Sequence, residues 1–213
     1  MAADMKATSD ANIARVYASS SLDETRAAYD KWASTYDADM LEQDYIAPTL
    51  VAERAAEISS LDGPILDAGC GSGAVGVALS NLGAKVIDGV DLSTGMLEIA
   101  RKSGVYRRLW VADLSKPLEL EDSTYAALVC CGTLTQGHVG PEALVEFIRV
   151  LKPDGVVVAT VLDAIWSSGG YEAEVQRLGK KANVQVLSTA THAYRRAAQT
   201  ETLARIVELR KFS

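Results

Sequence analysis

Ile65-Leu66-Asp67-Ala68-Gly69-Cys70-Gly71-Ser72-Gly73 is the stretch whose reading decides the fold. Ile65 to Ala68 reads as a short buried strand and Gly69 to Gly73 as a glycine loop. Ala74 to Leu82 reads as a helix, with Val75, Ala78, Leu79 and Leu82 on one stripe, and Lys85 to Asp91 as a second strand that ends in an acid. Strand, glycine loop, helix and acid-tipped strand form the first half of a nucleoside-binding α/β unit. Glycines turn the backbone without a Cβ penalty and let a ligand lie against bare main chain. The carboxylate of Asp91 is suited to two hydrogen bonds from a ribose diol.

Two ligand classes compete for this loop. Gly71-Ser72-Gly73-Ala74-Val75-Gly76 is a G-x-G-x-x-G pattern, and Asp91 stands where a dinucleotide site places its ribose-binding acid. Asp67 separates the two, because it precedes Gly69 at the mouth of the same loop. A pyrophosphate would be repelled by that carboxylate in a desolvated pocket, whereas a cationic nucleoside would be attracted. S-adenosylmethionine carries a ribose and adenine, no phosphate, an ammonium and a sulfonium. Asp67-Ala68-Gly69-Cys70-Gly71-Ser72-Gly73 resembles the acid-x-G-x-G-x-G first motif of the class I S-adenosylmethionine-dependent methyltransferases. The resemblance implies a Rossmann-like α/β fold with a seven-stranded, mostly parallel sheet whose last strand is antiparallel.

The bulk properties bound the rest. A chain of 213 residues with 48% hydrophobic and 23% charged residues is of single-domain size and ordinary globular composition. Its formal net charge of −7 and its lack of basic runs beyond Arg107-Arg108 and Arg195-Arg196 argue against a nucleic-acid partner, which needs clustered cations. A neutral or cationic small molecule suits that balance better. Cys70, Cys130 and Cys131 lack zinc-type spacing and read as small buried residues, and no metal site is expected. No apolar run is long enough for a membrane span and no secretory leader is evident, so a cytoplasmic setting is expected. The sequence does not indicate an oligomeric state.

Along the chain, residues 1–20 are expected as a flexible tail, 21–61 as a helical N-terminal cap and 62–213 as the cofactor-binding core. Ser21-Leu22-Asp23-Glu24 fits a capping box, and the helix it opens is expected to carry Tyr29, Trp32 and Tyr36 on one face. Either these aromatics pack the helix onto the core, or they line a lid; the two roles are compatible. The segment Tyr29-Asp30-Lys31-Trp32-Ala33-Ser34-Thr35-Tyr36-Asp37 is similar to the cap of methyltransferase-like proteins named after the Williams–Beuren syndrome chromosome region. That likeness implies a cap folded over cofactor and acceptor; as pocket-lining aromatics, Trp32 and Tyr36 are expected beside the cofactor, Tyr36 at its carboxylate, and Tyr29 in a catalytic or acceptor-lining role. Lys152-Pro153-Asp154-Gly155 reads as a turn, and Asn183–Tyr194 with Thr202–Lys211 as a closing hairpin.

The expected donor site follows. Gly69, Cys70 and Gly71 pack the methionine end, Asp67 assists its ammonium, Asp91 holds the ribose, and Leu92 and Met96 face the adenine. Asp113 and the Leu114 amide can read the adenine edge, though Asp113 also fits an ordinary loop carboxylate. The resemblance adds the Cys130 carbonyl as an acceptor from the ammonium. His138 is the candidate base or acceptor clamp, with bonding to its own loop as the alternative, and His192 reads as structural. The activity implied is in-line methyl transfer from S-adenosylmethionine to a small molecule, leaving S-adenosylhomocysteine. The alternative is a methyltransferase-fold protein that binds either nucleoside without transfer.

Overall fold

A computed structural model of the chain describes residues 11–136, 139–196 and 202–213. Its centre is a seven-stranded sheet of β1 (Ile65–Ala68), β2 (Ile87–Asp91), β3 (Tyr106–Val111), β4 (Tyr125–Leu134), β5 (Leu151–Leu162), β6 (Val184–Arg195) and β7 (Thr202–Lys211). The spatial order is β3-β2-β1-β4-β5-β7-β6. The first five strands pair in parallel, and β7 runs antiparallel to both β5 and β6. This is the expected topology, with the reversal of strand order falling between β1 and β4. In an open α/β sheet that reversal opens a ligand crevice beyond the carboxyl ends of the strands.

Period-two alternation sends each strand's residues to two separate cores. On one face Leu66, Leu128 and Val157 meet α6 (Ala143–Val150) and α7 (Tyr171–Gly179) through Leu144, Phe147 and Leu178. On the other, Ile65, Val129 and Val158 meet α3 (Ala47–Ile58) and α4 (Ala74–Asn81) through Val51, Ala55 and Leu79. Helix α5 (Thr94–Lys102) lies against β2 and β3 and is capped as expected, Ser93 Oγ accepting from the Met96 amide at 3.0 Å. The Lys152–Gly155 turn sits inside β5 as a bulge: Tyr125 pairs with Leu151 and Ala127 with Val156, while Asp154 takes a φ of 65°. The Arg107-Arg108 pair is consumed internally, both guanidiniums bonding the fully buried Asp88. Burial alone would raise the Asp88 carboxyl, but those bonds and one from Tyr125 hold it at about 2.

The cap departs from expectation in two places. Residues 11–17, expected within a flexible tail, are helical, and Val16 is buried against Ala28, Trp32 and Met40. The expected single aromatic helix is two, α1 (Leu22–Trp32) and α2 (Tyr36–Glu42). The break falls at Ser34-Thr35, where the Thr35 amide turns back to the Trp32 carbonyl at 3.0 Å in a tightened turn. Short hydroxyl residues compete with helical bonding and favour such ends. At the start of α1 Ser21 Oγ accepts from Glu24 at 3.2 Å, while the Glu24 carboxylate receives the Ser20 amide at 2.8 Å. Among the described residues no helix is long and apolar enough to cross a membrane.

Candidate active site

A cleft enclosing about 1030 Å³, measured to its open mouth, runs along the carboxyl ends of β1, β2 and β4 beneath the cap. Its floor is the glycine loop. Gly69 has φ 75°, and a Cβ there would collide with the Thr133 side chain. Gly71 has φ 53° with no atom within 4 Å of where its Cβ would stand, so it presents bare main chain to the cleft. The loop is pinned from below, the Gly69 and Cys70 amides both donating to the Val90 carbonyl at 2.8 and 2.9 Å.

Asp91 ends β2 in the cleft. Its carboxylate accepts from the Gly71 amide at 2.8 Å and the Ser93 amide at 2.9 Å, which fixes it against the loop. Burial raises its pKa, and those two amides draw it part of the way back. Leu92 and Met96 line the adjacent wall. Asp113 and Leu114 close that end, with Asp113 accepting from the Ser115 amide at 2.9 Å and facing Lys116 at 3.0 Å. Burial alone would raise the Asp113 carboxyl; its bonds to Ser115 and Lys116 overcome this and hold it below the ordinary value.

The expected placements of Asp67 and Trp32 require correction. Asp67 does not stand at the cleft surface: it is fully buried under the loop, on the face of β1 that it shares with Ile65. There Tyr106 donates to its Oδ2 at 2.7 Å, while its Oδ1 has no hydrogen-bond partner among the described residues. Burial pushes the carboxyl up to about 7 against the opposing bond from Tyr106. Gly76, third glycine of the sequence pattern, makes room for this arrangement, since a Cβ there would collide with the Tyr106 hydroxyl. The Cys130 side chain is fully buried in the α6–α7 core, and the role expected for that residue concerns its main-chain carbonyl. Beyond it Cys131, Gly132 and Thr133, toward the carboxyl end of β4, line the cleft. Trp32 lies behind the cleft, where its Nε1 donates to Asp39 at 2.6 Å.

Tyr29 and Tyr36 do reach the cleft, on opposite sides of the helix break; Trp32 stacks on Tyr29, ring centres 6.1 Å apart, and meets Tyr36 edge to face at 4.8 Å. Leu22 and Thr25 extend the roof along the same face of α1. His138 lies outside the described residues. His192 lies on β6 opposite Ala204 of β7. Sequence reasoning missed Tyr45 and Tyr194, whose hydroxyls bond at 3.1 Å, with the Tyr45 hydroxyl also 3.3 Å from Cys131 Sγ. Tyr106 and Thr133 were missed as well. None of the four sits in a motif, and only the folded sheet brings them to the loop.

Residues 65–155 match a family described as a methyltransferase domain. Methyltransferase-like protein 27 of Homo sapiens is 38% identical over 138 residues, 62% of this chain and 55% of the relative. The malonyl-[acyl-carrier protein] O-methyltransferase of Serratia marcescens is 27% identical over 187 residues, covering 82% and 68%. The chain thus spans about half the length of the human relative. Among solved structures, an S-adenosylmethionine-dependent methyltransferase of Thermotoga maritima superposes with a TM-score of 0.57 at 20% identity, over 87% of this chain and 98% of that one. The chemistry of the cleft fits S-adenosylmethionine, the cofactor named for that Thermotoga maritima protein: bare main chain at Gly71, a carboxylate pinned at Asp91, and an unpartnered buried carboxylate oxygen on Asp67 beneath the loop. Built on that sheet around that acid-led loop, residues 65–155 are the part of the chain that matches a methyltransferase domain, and the likeness to the solved structure is one of fold.

Proposed function

We propose that the protein transfers the methyl group of S-adenosylmethionine to a small-molecule acceptor held between the carboxyl edge of β4 and the cap. The observation that carries this reading is one continuous cleft with two unlike halves. One half has the glycine loop, Asp91 and Asp113; the other is roofed by Leu22, Thr25, Tyr29 and Tyr36 and flanked by Tyr45 and Thr133. A roof of helices over a concave, partly aromatic pocket suits a small ligand.

When bound, S-adenosylmethionine supplies a methyl group already activated by the positive charge on sulfur. Asp91 is placed to hold the ribose hydroxyls, Asp113 and the Leu114 amide the adenine edge, and the bare loop at Gly69–Gly71 the amino-acid end. The roof excludes water and orients the acceptor. Such positioning supplies roughly 7–11 kcal/mol in well-aligned displacements. The acceptor-side hydroxyl and thiol groups are hydrogen-bonding groups rather than bases at neutral pH. Burial lifts the Cys131 thiol to about 12 and raises Tyr45 well above its ordinary value. This suits an acceptor that attacks without first losing a proton, such as a carboxylate, a thiolate or an unprotonated amine. The three free, buried cysteines support a reducing, cytoplasmic setting.

Transfer of labelled methyl from S-adenosylmethionine to a metabolite extract tests the reading, with calorimetry against S-adenosylmethionine, S-adenosylhomocysteine and NAD beside it. Labelled small-molecule product is expected, together with binding of both sulfur nucleosides. Tight nucleoside binding with no labelled product would leave a binding protein of methyltransferase fold.

A further inference from the structure

Behind the cap a second, smaller cavity adjoins the cleft. The two share Val16, Tyr29, Tyr36 and Gly132, and the smaller one adds Tyr17 and Arg195. Arg195 is the last residue of β6, held by a bridge to Tyr45, with its guanidinium 5.7 Å from the centre of the Tyr194 ring. Its Nε is sealed from solvent and has no hydrogen-bond partner among the described residues. The partly buried Arg54, Arg149 and Arg205 each hold a carboxylate. Arg195 forms no such ion pair among the described residues. Asp39, the buried carboxylate of the cap, is already engaged by Trp32 Nε1 at 2.6 Å and Asn12 Nδ2 at 3.1 Å.

We propose that Arg195, with the hydroxyls of Tyr17, Tyr29 and Tyr36, forms a carboxylate-binding subsite that anchors one end of a ligand occupying the cleft. A guanidinium presents a planar fork of donors that matches a carboxylate, and a charged pair gains strength where water is excluded. Ile13, Val16 and Met40 supply apolar walls to this cavity. Burial keeps the Tyr29 and Tyr36 phenols protonated at neutral pH, so each can donate. Tyr17 lines the same cavity as Arg195; burial raises its phenol and the nearby Arg195 charge partly opposes this.

The carboxylate has two chemical sources: the amino-acid end of the cofactor, or the acceptor. The second source rests on the proposed methyl transfer and the first does not. Full-length Arg195→Met is compared with the unaltered protein by calorimetry against S-adenosylhomocysteine and 5′-methylthioadenosine, the latter lacking the amino-acid carboxylate. Labelled methyl transfer to an extract divided by anion exchange is measured in parallel. A loss of S-adenosylhomocysteine affinity on the order of tenfold or more, with 5′-methylthioadenosine unchanged, assigns the subsite to the cofactor. Unchanged nucleoside affinities with a comparable loss of label only in the anion-retained fraction assign it to the acceptor. If Met at this position also costs 5′-methylthioadenosine binding, Arg195→Lys, which keeps the charge without the planar fork, takes its place in the same comparison. Should both the S-adenosylhomocysteine affinity and the anionic label be unaffected, the subsite is overturned. Should the unaltered protein label nothing in any fraction, methyl transfer to a small molecule fails, and the two nucleosides alone decide the subsite.

Discussion

The two ends of the cleft are built in different ways. The donor end is made by consecutive strand tips and held by main chain. Gly69 and Cys70 bond Val90, Asp91 bonds Gly71 and Ser93, and little depends on a distant side chain. The acceptor end is made by side chains from segments far apart: Tyr45 meets Tyr194 across 149 positions, and the roof comes from α1 and α2. A site held by backbone within one supersecondary unit tolerates little change in its glycines and acids. A site assembled by packing can be re-lined without touching the donor end. The difference teaches that the two halves should fail separately when altered.

The largest effect is expected at the donor floor. Gly69→Ala forces a Cβ onto the Thr133 side chain at a φ of 75°. Backbone strain of this kind costs about 1–3 kcal/mol, and the overpacking about as much again. We expect a clear fall in thermal midpoint and loss of S-adenosylhomocysteine binding by calorimetry. Retained binding would mean that the loop is less tightly held than its hydrogen bonds imply. Asp91→Asn comes next: the amide group cannot accept at both oxygens, so one of the Gly71 and Ser93 amides loses its partner. Bonds to a charged group contribute about 1.5–3 kcal/mol each, so affinity should drop on the order of a hundredfold. Tyr45→Phe provides the counterpart at the acceptor end. Cofactor affinity should hold while labelled methyl transfer falls, and a joint loss would contradict the separation of the halves.

The same contrast explains what was legible in the sequence. Asp67 to Gly73, Asp91, Asp113 and the closing hairpin lie in local patterns whose periodicity and turn chemistry fix neighbours in space, so the strand–loop–helix–strand unit and the acids at its strand tips could be read. The position of Asp67 could not. Local spacing put it at the loop mouth, but strand alternation turns it inward, and the Tyr106 that receives it comes from the other side of β2. That the Cys131 side chain lines the cleft was equally unreadable: adjacent strand residues face opposite layers, and a vicinal pair leaves open which side chain faces the ligand. Trp32 was placed by a helical stripe that the break at Ser34-Thr35 interrupts. Arg195 and Tyr194 gave no local signal, because their meaning arises only from where β6 ends.

The inward turn of Asp67 makes a pH prediction of intermediate size. Its carboxyl sits at about 7 in the folded protein, well above the ordinary carboxylate value of about 4. A raised carboxyl binds its proton more tightly in the folded state, so its contribution to stability falls as pH rises from about 4 to about 7 and is level above. Asp67→Asn should remove that slope, read as thermal midpoint against pH. A cationic cofactor should favour the ionised form, so S-adenosylhomocysteine, through its ammonium, should bind with proton release between about pH 5.5 and 7.5. Calorimetry in buffers of different ionisation enthalpy measures that release. 5′-Methylthioadenosine, without the ammonium, should release none, and equal release by both would detach Asp67 from the amino-acid end.

The smallest effect is expected where the two halves meet. Asp30 of α1 reaches the start of α5, its Oδ1 accepting from Ser93 Oγ at 2.6 Å and the Gly95 amide at 2.9 Å. Gly95 permits the approach, since a Cβ there would lie 3.1 Å from the Asp30 Cα. A carboxylate at a helix N-terminus is stabilised by the orphan amides and the dipole, but this one is exposed to solvent, so the clasp contributes about 1 kcal/mol or less. Asp30→Ala should therefore lower the thermal midpoint by no more than about 2–4 °C. Because the Ser93 amide also donates to the Asp91 carboxylate, loosening the clasp should reach the donor end through the roof. S-adenosylhomocysteine should dissociate several-fold faster in stopped flow, while Asp30→Asn, which keeps an accepting oxygen, should recover most of the difference. A lower midpoint with an unchanged dissociation rate would make Asp30 a packing residue of the cap, and the roof would then take no part in retaining the cofactor.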